Sequence, residues 1–417
     1  MIRYRTGNNL LGEIGFLYLA FALAYTIWPA LVFILVGIST GDPLEAFSPD
    51  PLALAVHLWR HVLFIFSVAF GYLISRGCRA PGYINIIDSN LNSKKIINYL
   101  IAIILSSILI ITIFSAPVQT YYDHYIRYDH LPWLLKKLIS ALLRVKLGLY
   151  TILLVYLFLN YKKNKFIIFI SIILMSTYEI TYSLGSRIES LIVILASLCL
   201  YNYNVKKVTL KISALYFLVI LLLFSLVELV RSANLSQTTV QELIIGGGLK
   251  PASEFGAVFL TGFHLYEEAS HGSLPPVEWP MFFNDLISLI TFGDFVEWNP
   301  MNWYAKNYYP DSIVAPFTLG PIADSAIWGG EVDLFFRGFL NGIFFAVIIR
   351  WYIRYQTKWW GVTVYVYCYA TCIMSLKYSI FYHFNPLIKT IIPAIIVLIF
   401  IKWLIKAFSY KKLTFIS

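Results

Sequence analysis

Long apolar runs separated by short polar and basic segments dominate the chain. A helix needs about 20 mostly apolar residues to cross a bilayer. Ten runs approach or meet that length: 14–38, 52–75, 96–115, 138–159, 166–183, 187–203, 211–230, 330–350, 359–380 and 386–406. They are evenly apolar rather than alternating, which excludes the strands of an outer-membrane barrel. The expected fold is an all-α polytopic membrane protein of about ten transmembrane helices. It divides into transmembrane helices 1–7 (residues 1–230), one large external loop (231–329) and transmembrane helices 8–10 (330–417). Arg3 and Arg5 precede a first apolar run with no small-residue cleavage pattern, so that run is expected to stay as a span.

The 231–329 segment is 99 residues long and breaks the rhythm, with ten acidic residues against three basic ones. A structureless loop of that length is rare unless it is functional. Within it, 252–268 has helical periodicity: Phe255, Val258, Phe259, Gly262, Phe263 and Tyr266 form an apolar face, and Glu254, Thr261, His264 and Glu268 a polar one. Such a helix either lies flat on the membrane or caps a cavity. A second outer loop, 116–137, is aromatic. No internal repeat is visible, unlike repeat-built transporters.

Composition agrees with this pattern. Of 417 residues, 59% are hydrophobic and 13% charged, whereas soluble domains have about 45–50% and about 25%. A soluble enzyme, a disordered chain and a disulfide scaffold are thereby excluded. Cys78, Cys199, Cys368 and Cys372 show no zinc spacing and are read as packing residues. Net charge is +10, and its placement orients the chain. With a cytoplasmic N-terminus, inner segments carry 19 Lys and Arg and outer segments 8. The positive-inside rule then puts both termini in the cytoplasm.

Five cations fall inside the spans: Arg60, Arg144, Lys146, Arg337 and Lys377. That orientation sets them in the outer halves of their helices, level with Arg187 and Arg231. Two readings stand. Long side chains snorkel to headgroups, with Glu179, Glu189 and Glu228 available as partners. Alternatively the group binds an anionic lipid headgroup, and a diphosphate suits it because guanidinium forks match phosphate oxygens. Trp298, Asn299, Asn302, Trp303, Asn307, Tyr308, Tyr309 and Asp311 offer aromatic faces beside hydrogen-bonding groups, as sugar sites do, although interface belts use the same residues. Catalytic candidates are few. His264 with Glu267 or Glu268 could be an oriented base or a satisfied surface histidine. His57 and His61, on one face of the second span near Arg60, read as structural. Asp324, Glu331 and Asp333 stand where the loop re-enters the membrane. Gly246–Gly248 reads as a hinge.

This arrangement resembles the Wzy family of bacterial O-antigen and capsule repeat-unit polymerases. The stretch Thr318–Gly330, followed by Gly338 and Gly342, resembles the family's glycine-acidic segment leading into a late span, with Asp324 where glutamate is usual. Gly185-Ser186-Arg187 resembles its Gly-Ser/Gly-Arg turn, with Ile188 in place of the following glycine, and Arg231 its loop-opening arginine. The resemblance implies a lipid-linked glycosyltransferase of the bacterial inner membrane, with its active site facing the periplasm. Its partners would be undecaprenyl-diphosphate-linked oligosaccharides, membrane lipids and a possible chain-length regulator, with no nucleic acid. Arg187, Arg231, Arg144, Arg337 and Lys146 would bind diphosphate. His264, Asp324 and Glu254 would act as base or sugar contacts. No cofactor and no metal is implied. The alternatives are an O-antigen ligase and a lipid-linked oligosaccharide flippase or transporter. One-sided charge and a dominant loop disfavour alternating access.

Overall fold

The structure, a computed structural model, describes residues 13–36, 51–77, 93–116, 128–159, 161–182, 187–208, 251–283, 299–310, 319–378 and 383–414. Among these residues the regular structure is helical throughout. The elements are α1 (Ile14–Val36), α2 (Pro51–Ser75), α3 (Ser93–Ile113), α4 (Trp133–Leu159), α5 (Tyr161–Tyr182), α6 (Arg187–Asn204), α7 (Pro251–His271), α8 (Trp279–Phe282), α9 (Pro300–Tyr308), α10 (Pro321–Trp328), α11 (Gly330–Tyr355) and α12 (Trp359–Thr371). A 3-10 turn (Cys372–Leu376) follows α12. A helical turn (Phe384–Pro386) and a π-turn (Leu387–Ile391) lead into α13 (Ile392–Thr414). Pro393 has no N–H for the carbonyl one turn back, and the π-turn stands just before it.

Among the described residues seven helices are long and apolar enough to cross a membrane: α1, α2, α3, α4, α5, α11 and the helix through Phe384–Trp403. Three expected spans are not among them. The 187–203 run is α6, whose first turn carries Arg187 and Glu189. The 211–230 run lies outside the described residues. The 359–380 run is a 13-residue helix that tightens into the 3-10 turn, where Ser375 Oγ donates to the Cys372 carbonyl at 3.0 Å.

The outward faces identify the solvent. Leu52, Val56, Trp59, Phe66, Phe70 and Ile74 of α2 are exposed, while His57, His61, Ser67 and Gly71 are buried. Phe166, Phe169, Ile173 and Leu174 of α5, and Ile396, Ile399, Phe400 and Trp403 of α13, are exposed likewise. Water would penalise such surfaces heavily, and lipid does not. This is a membrane protein with transmembrane helices.

The chain forms two compact units. The first holds residues up to 81, 209–351 and 371–385; the second holds 82–208, 352–370 and 386–417. In the first, α2 and α11 approach through small residues. A Cβ built on Gly338 would fall 1.9 Å from Ser67 Oγ, and one on Gly342 2.2 Å from the Val68 carbonyl oxygen. From the other side, a Cβ on Gly71 would fall 2.2 Å from the Phe339 carbonyl oxygen. This is a small-xxx-small contact on both helices. Arg60 with Glu331, Ser67 with Gly338 and Gly71 with Gly342 share one offset of 271 residues, so the two helices run parallel.

Helix α1 runs antiparallel to α2. At one end Arg76 donates from Nε and Nη2 to Glu13 at 2.8 and 2.6 Å, and the Tyr72 hydroxyl donates to the same carboxylate at 2.5 Å. At a span boundary, Arg76 reads from the sequence as one of the basic residues of an inner segment. It is instead 1% exposed, because the bidentate carboxylate at the start of α1 satisfies it inside the fold. Gly15 leaves room for the Tyr72 ring, which a Cβ would meet at 2.5 Å. Toward the other end Thr26 Oγ1 donates to the Ala22 carbonyl at 2.8 Å and lies 3.0 Å from His61 Nδ1. His61 Nε2 lies 3.2 Å from His57 Nε2, which is 3.0 Å from the Phe259 carbonyl oxygen. The pair ties α7 to α2.

Amphipathic helix α7 packs against α1 and α10. Val258, Phe259, Phe263 and Tyr266 are buried as expected, but so are Thr261 and Leu265. The helix is therefore enclosed around most of its middle, not laid flat with a wet polar face.

In the second unit α5 and α6 pair, with Ser190 Oγ donating to the Ser176 carbonyl at 3.1 Å. Gly148 of α4 lets the π-turn approach, since a Cβ there would meet the Thr390 carbonyl oxygen at 2.7 Å. Tyr203 and Tyr365 hydroxyls lie 3.2 Å apart, and the Tyr352 and Tyr365 rings stack at 4.3 Å.

Removing one partner of a buried ion pair costs about 3–5 kcal/mol. Arg76→Ala should therefore lower the melting temperature of purified protein sharply. Arg76→Leu combined with Glu13→Leu should recover most of that loss. A single variant that melts like wild type would contradict the buried pairing.

Candidate functional site

Three helices of the first unit build a polar cluster at the start of α11, and α2 adds a fourth side. Gly320 sits tightly against the Leu376 carbonyl oxygen, which a Cβ would meet at 2.3 Å, and Pro321 opens α10. Proline suits that position because its missing N–H would have no partner there. Gly330, at φ +61°, turns the chain from α10 into α11. That turn brings Arg337 back to Asp324. Arg337 Nη1 donates to Asp324 Oδ2 at 3.0 Å, and its Nε donates to Asp333 Oδ2 at 2.5 Å. Asp333 and Arg337 are one helical turn apart, a pairing visible in their spacing. Ser325 Oγ lies 2.9 Å from the Tyr266 hydroxyl and donates to the Ile322 carbonyl at 2.7 Å. Arg60 Cζ stands 3.9 Å from the Tyr266 ring centroid, and its Nε donates to Glu331 at 3.4 Å.

The cluster thus holds two guanidiniums and three carboxylates. Arg337 is buried and engaged on two edges. Its Nη2 is enclosed and has no hydrogen-bond partner among the described residues. Burial pushes the Tyr266 hydroxyl up to about 12, against the lowering effects of Ser325 and Arg60. It therefore stays a neutral donor or acceptor at physiological pH.

His264 stands apart. It and Tyr266 are two residues apart on α7, about 200° around the helix. His264 Nδ1 lies 2.7 Å from the Tyr304 hydroxyl, and Nε2 lies 3.9 Å from Glu268 Oε1. The Tyr308 ring packs edge-on at 4.7 Å. Helix α9 positions both tyrosines: Asn299 accepts from the Met301 N–H at 2.9 Å as its cap, and Pro300 follows. Burial lowers the pKa of His264, while Glu268 acts in the opposite sense. Burial likewise raises Tyr304 and carries Tyr308 to about 12.

The proposed cations divide between the units. Arg60, Arg337 and Lys377 belong to the first; Arg144, Lys146 and Arg187 belong to the second. Lys146 Nζ is 2.7 Å from Glu179 Oε1 and fully buried. The Tyr178 ring centroid lies 4.7 Å away, and those of Tyr150 and Tyr182 lie 5.8 and 5.6 Å away. That pairing matches the reading in which Glu179 serves a cation. Arg144 is half-buried. The side chains of Arg187 and Glu254 lie outside the described residues, and Arg231 does so entirely. Among the described residues no three of His, Cys, Asp and Glu converge as metal ligands.

Sequence spacing does not pair Tyr266 with Ser325 or Arg60 with Glu331, since each link joins distant segments. Against known protein families, curated proteins and solved structures the chain finds no match.

Because folding depresses the His264 pKa, the unfolded chain takes up this proton first. The contribution of His264 to stability is complete above about pH 6.5 and is lost as pH falls below it. Melting curves of wild type and His264→Gln should converge toward acid, the wild type losing more between pH 7 and 5. Parallel curves would contradict the placement.

Proposed function

We propose that the protein is a Wzy-type polymerase of undecaprenyl-diphosphate-linked oligosaccharide repeat units. In this reading it lies in the bacterial inner membrane and transfers the growing glycan en bloc to an incoming lipid-linked unit at the periplasmic face. The observation carrying this reading is the Asp324–Arg337–Asp333 ion cluster at the entry of α11. Asp324 lies within the Thr318–Gly330 stretch that resembles the family's acidic segment, and Asp333 and Arg337 follow it. The proposal includes ten spans, cytoplasmic termini and a periplasmic 231–329 loop. The parallel course of α2 and α11 is compatible with it, because parallel spans require an odd number of crossings between them, a condition that five crossings meet as do the three of α3, α4 and α5.

In the reaction an acceptor hydroxyl oxygen attacks the donor's anomeric carbon. The bond from that carbon to the diphosphate oxygen breaks, and its electron pair leaves on the diphosphate. The hydroxyl proton passes to a carboxylate, and Asp324, oriented by Arg337, takes that role. Arg231, which resembles the family's loop-opening arginine, binds the diphosphate and stabilises its charge in a partly dry site. Arg337 acts by holding Asp324 in place. His264 holds the loop helices together through Tyr304.

The surface glycan of a deletion strain tests the reading. The ladder should vanish with one repeat unit left on the core. Complete loss of attached glycan would point to a ligase or flippase instead. In a complemented strain Asp324→Asn should abolish the ladder while the protein still inserts. Arg231→Ala should slow polymerisation about ten- to hundredfold, the loss of a charge-assisted contact worth about 1.5–3 kcal/mol. Arg231→Lys should rescue only in part. Polymerisation should continue in EDTA, since fixed guanidiniums meet the leaving-group charge. A strict metal requirement would reject this assignment.

A further inference from the structure

Beside the ion cluster stands an aromatic surface that the proposed chemistry leaves unused. Trp279 and Trp328 stack with centroids 5.5 Å apart at 30°. Phe282 braces Trp328 edge-on at 5.3 Å and 85°, and also contacts Trp279 at 6.5 Å. Arg337 Cζ lies 5.4 Å from the Phe282 centroid, so the aromatic group is continuous with the Asp324–Arg337–Asp333 cluster. Despite this bracing, Trp279 is 73% exposed. A large ring held rigidly and left open is ready to stack on a ligand.

The surroundings select the ligand. Residues 273–278, which lead into α8, have no regular structure, and Gly272 turns the chain at φ +68°. Exposed irregular backbone is not tolerated in hydrocarbon, so this surface stands in water or among headgroups. Trp303 Nε1 donates to the Pro276 carbonyl at 3.0 Å and fixes the segment. Just past Gly329, the first turn of α11 carries Glu331 and Asp333, whose side chains are 47% and 23% exposed. These carboxylates, each paired with an arginine, can still accept hydrogen bonds from hydroxyl groups. A flat aromatic face attracts the weakly positive C–H face of a ring. Together they suit a neutral pyranose.

We infer that the Trp279–Trp328 stack, with Phe282 behind it and Asp333 and Glu331 at its rim, is a pyranose-binding shelf that seats a sugar of the acceptor glycan. The identity of that glycan rests on the polymerase reading; the shelf itself does not.

The chain has eleven tryptophans, so the test uses full-length protein labelled with 5-fluorotryptophan in lipid nanodiscs. Fluorine NMR assigns the two resonances by their loss in W279F and W328F. The probes are the oligosaccharide released by mild acid from the producing cell's surface glycan, and nitroxide-labelled lipid. Both resonances should shift saturably with the oligosaccharide, and Asp333→Asn should weaken that binding about three- to tenfold. Trp279→Ala should raise the acceptor KM by a similar factor with kcat kept. No shift up to the solubility limit overturns the inference. So does broadening of Trp279 by the labelled lipid without a glycan shift, which would make the stack an interface anchor. A ladder lost on deletion with no shift rejects the shelf alone. A shift with the ladder intact in the deletion strain rejects the polymerase reading alone.

Discussion

The close approach of α2 to α11 is the constraint on which the first unit depends. Backbones that meet at a carbonyl oxygen leave no room for a single methyl group at Gly71, Gly338 or Gly342. Lipid offers no hydrophobic drive for helices to associate, so close van der Waals contact must do so. The same contact sets the register. Seven residues before Ser67 and Gly338, at the same offset, Arg60 faces Glu331. The polar cluster is thus a product of a packing event between side chains with almost no atoms.

Buried charges follow one rule in both units. Glu13 with Arg76, Lys146 with Glu179, and Arg337 with Asp324 and Asp333 are each paired inside the protein. Such pairs contribute little net stability, because desolvating both ions offsets most of their attraction. They do discriminate between arrangements, since any other helix order strands a charge in a dry place. The Arg337 group differs from the other two, with two carboxylates on one guanidinium and partial exposure at Asp333.

Much of the architecture is legible along the chain. Run length and uniform apolarity identify seven of the membrane-crossing helices, and the amphipathic period in 252–268 locates α7. Lipid leaves few choices for an apolar run of that length, so the inference is strong. It weakens where the backbone departs from the α-helix. The 3-10 turn after Thr371 is set by tertiary contacts that a hydropathy count ignores. Charges were harder still. Arg76 lies at a span boundary, just as a loop arginine would, and only its bidentate contact with Glu13 shows otherwise. Within the candidate site, the Asp333–Arg337 pairing is local. The Asp324–Arg337 pairing needs the turn at Gly330, and the tryptophan stack needs two segments 49 residues apart in sequence.

The histidine contacts between α1, α2 and α7 carry one more consequence. The carbonyls of Phe259 and Ala22 end the line, and a carbonyl only accepts. With neutral rings, His57 must carry its hydrogen on Nε2 to serve Phe259. The facing Nε2 of His61 is then bare, so its hydrogen sits on Nδ1 and points at Thr26, whose own hydrogen turns to Ala22. The tautomer of each ring is therefore dictated by a backbone oxygen on another part of the chain. His57 Nδ1, fully enclosed and without a hydrogen-bond partner among the described residues, is the remaining lone pair. Three helices thus share a single ordered row of hydrogens, and reversing any one of them would break the row at both ends.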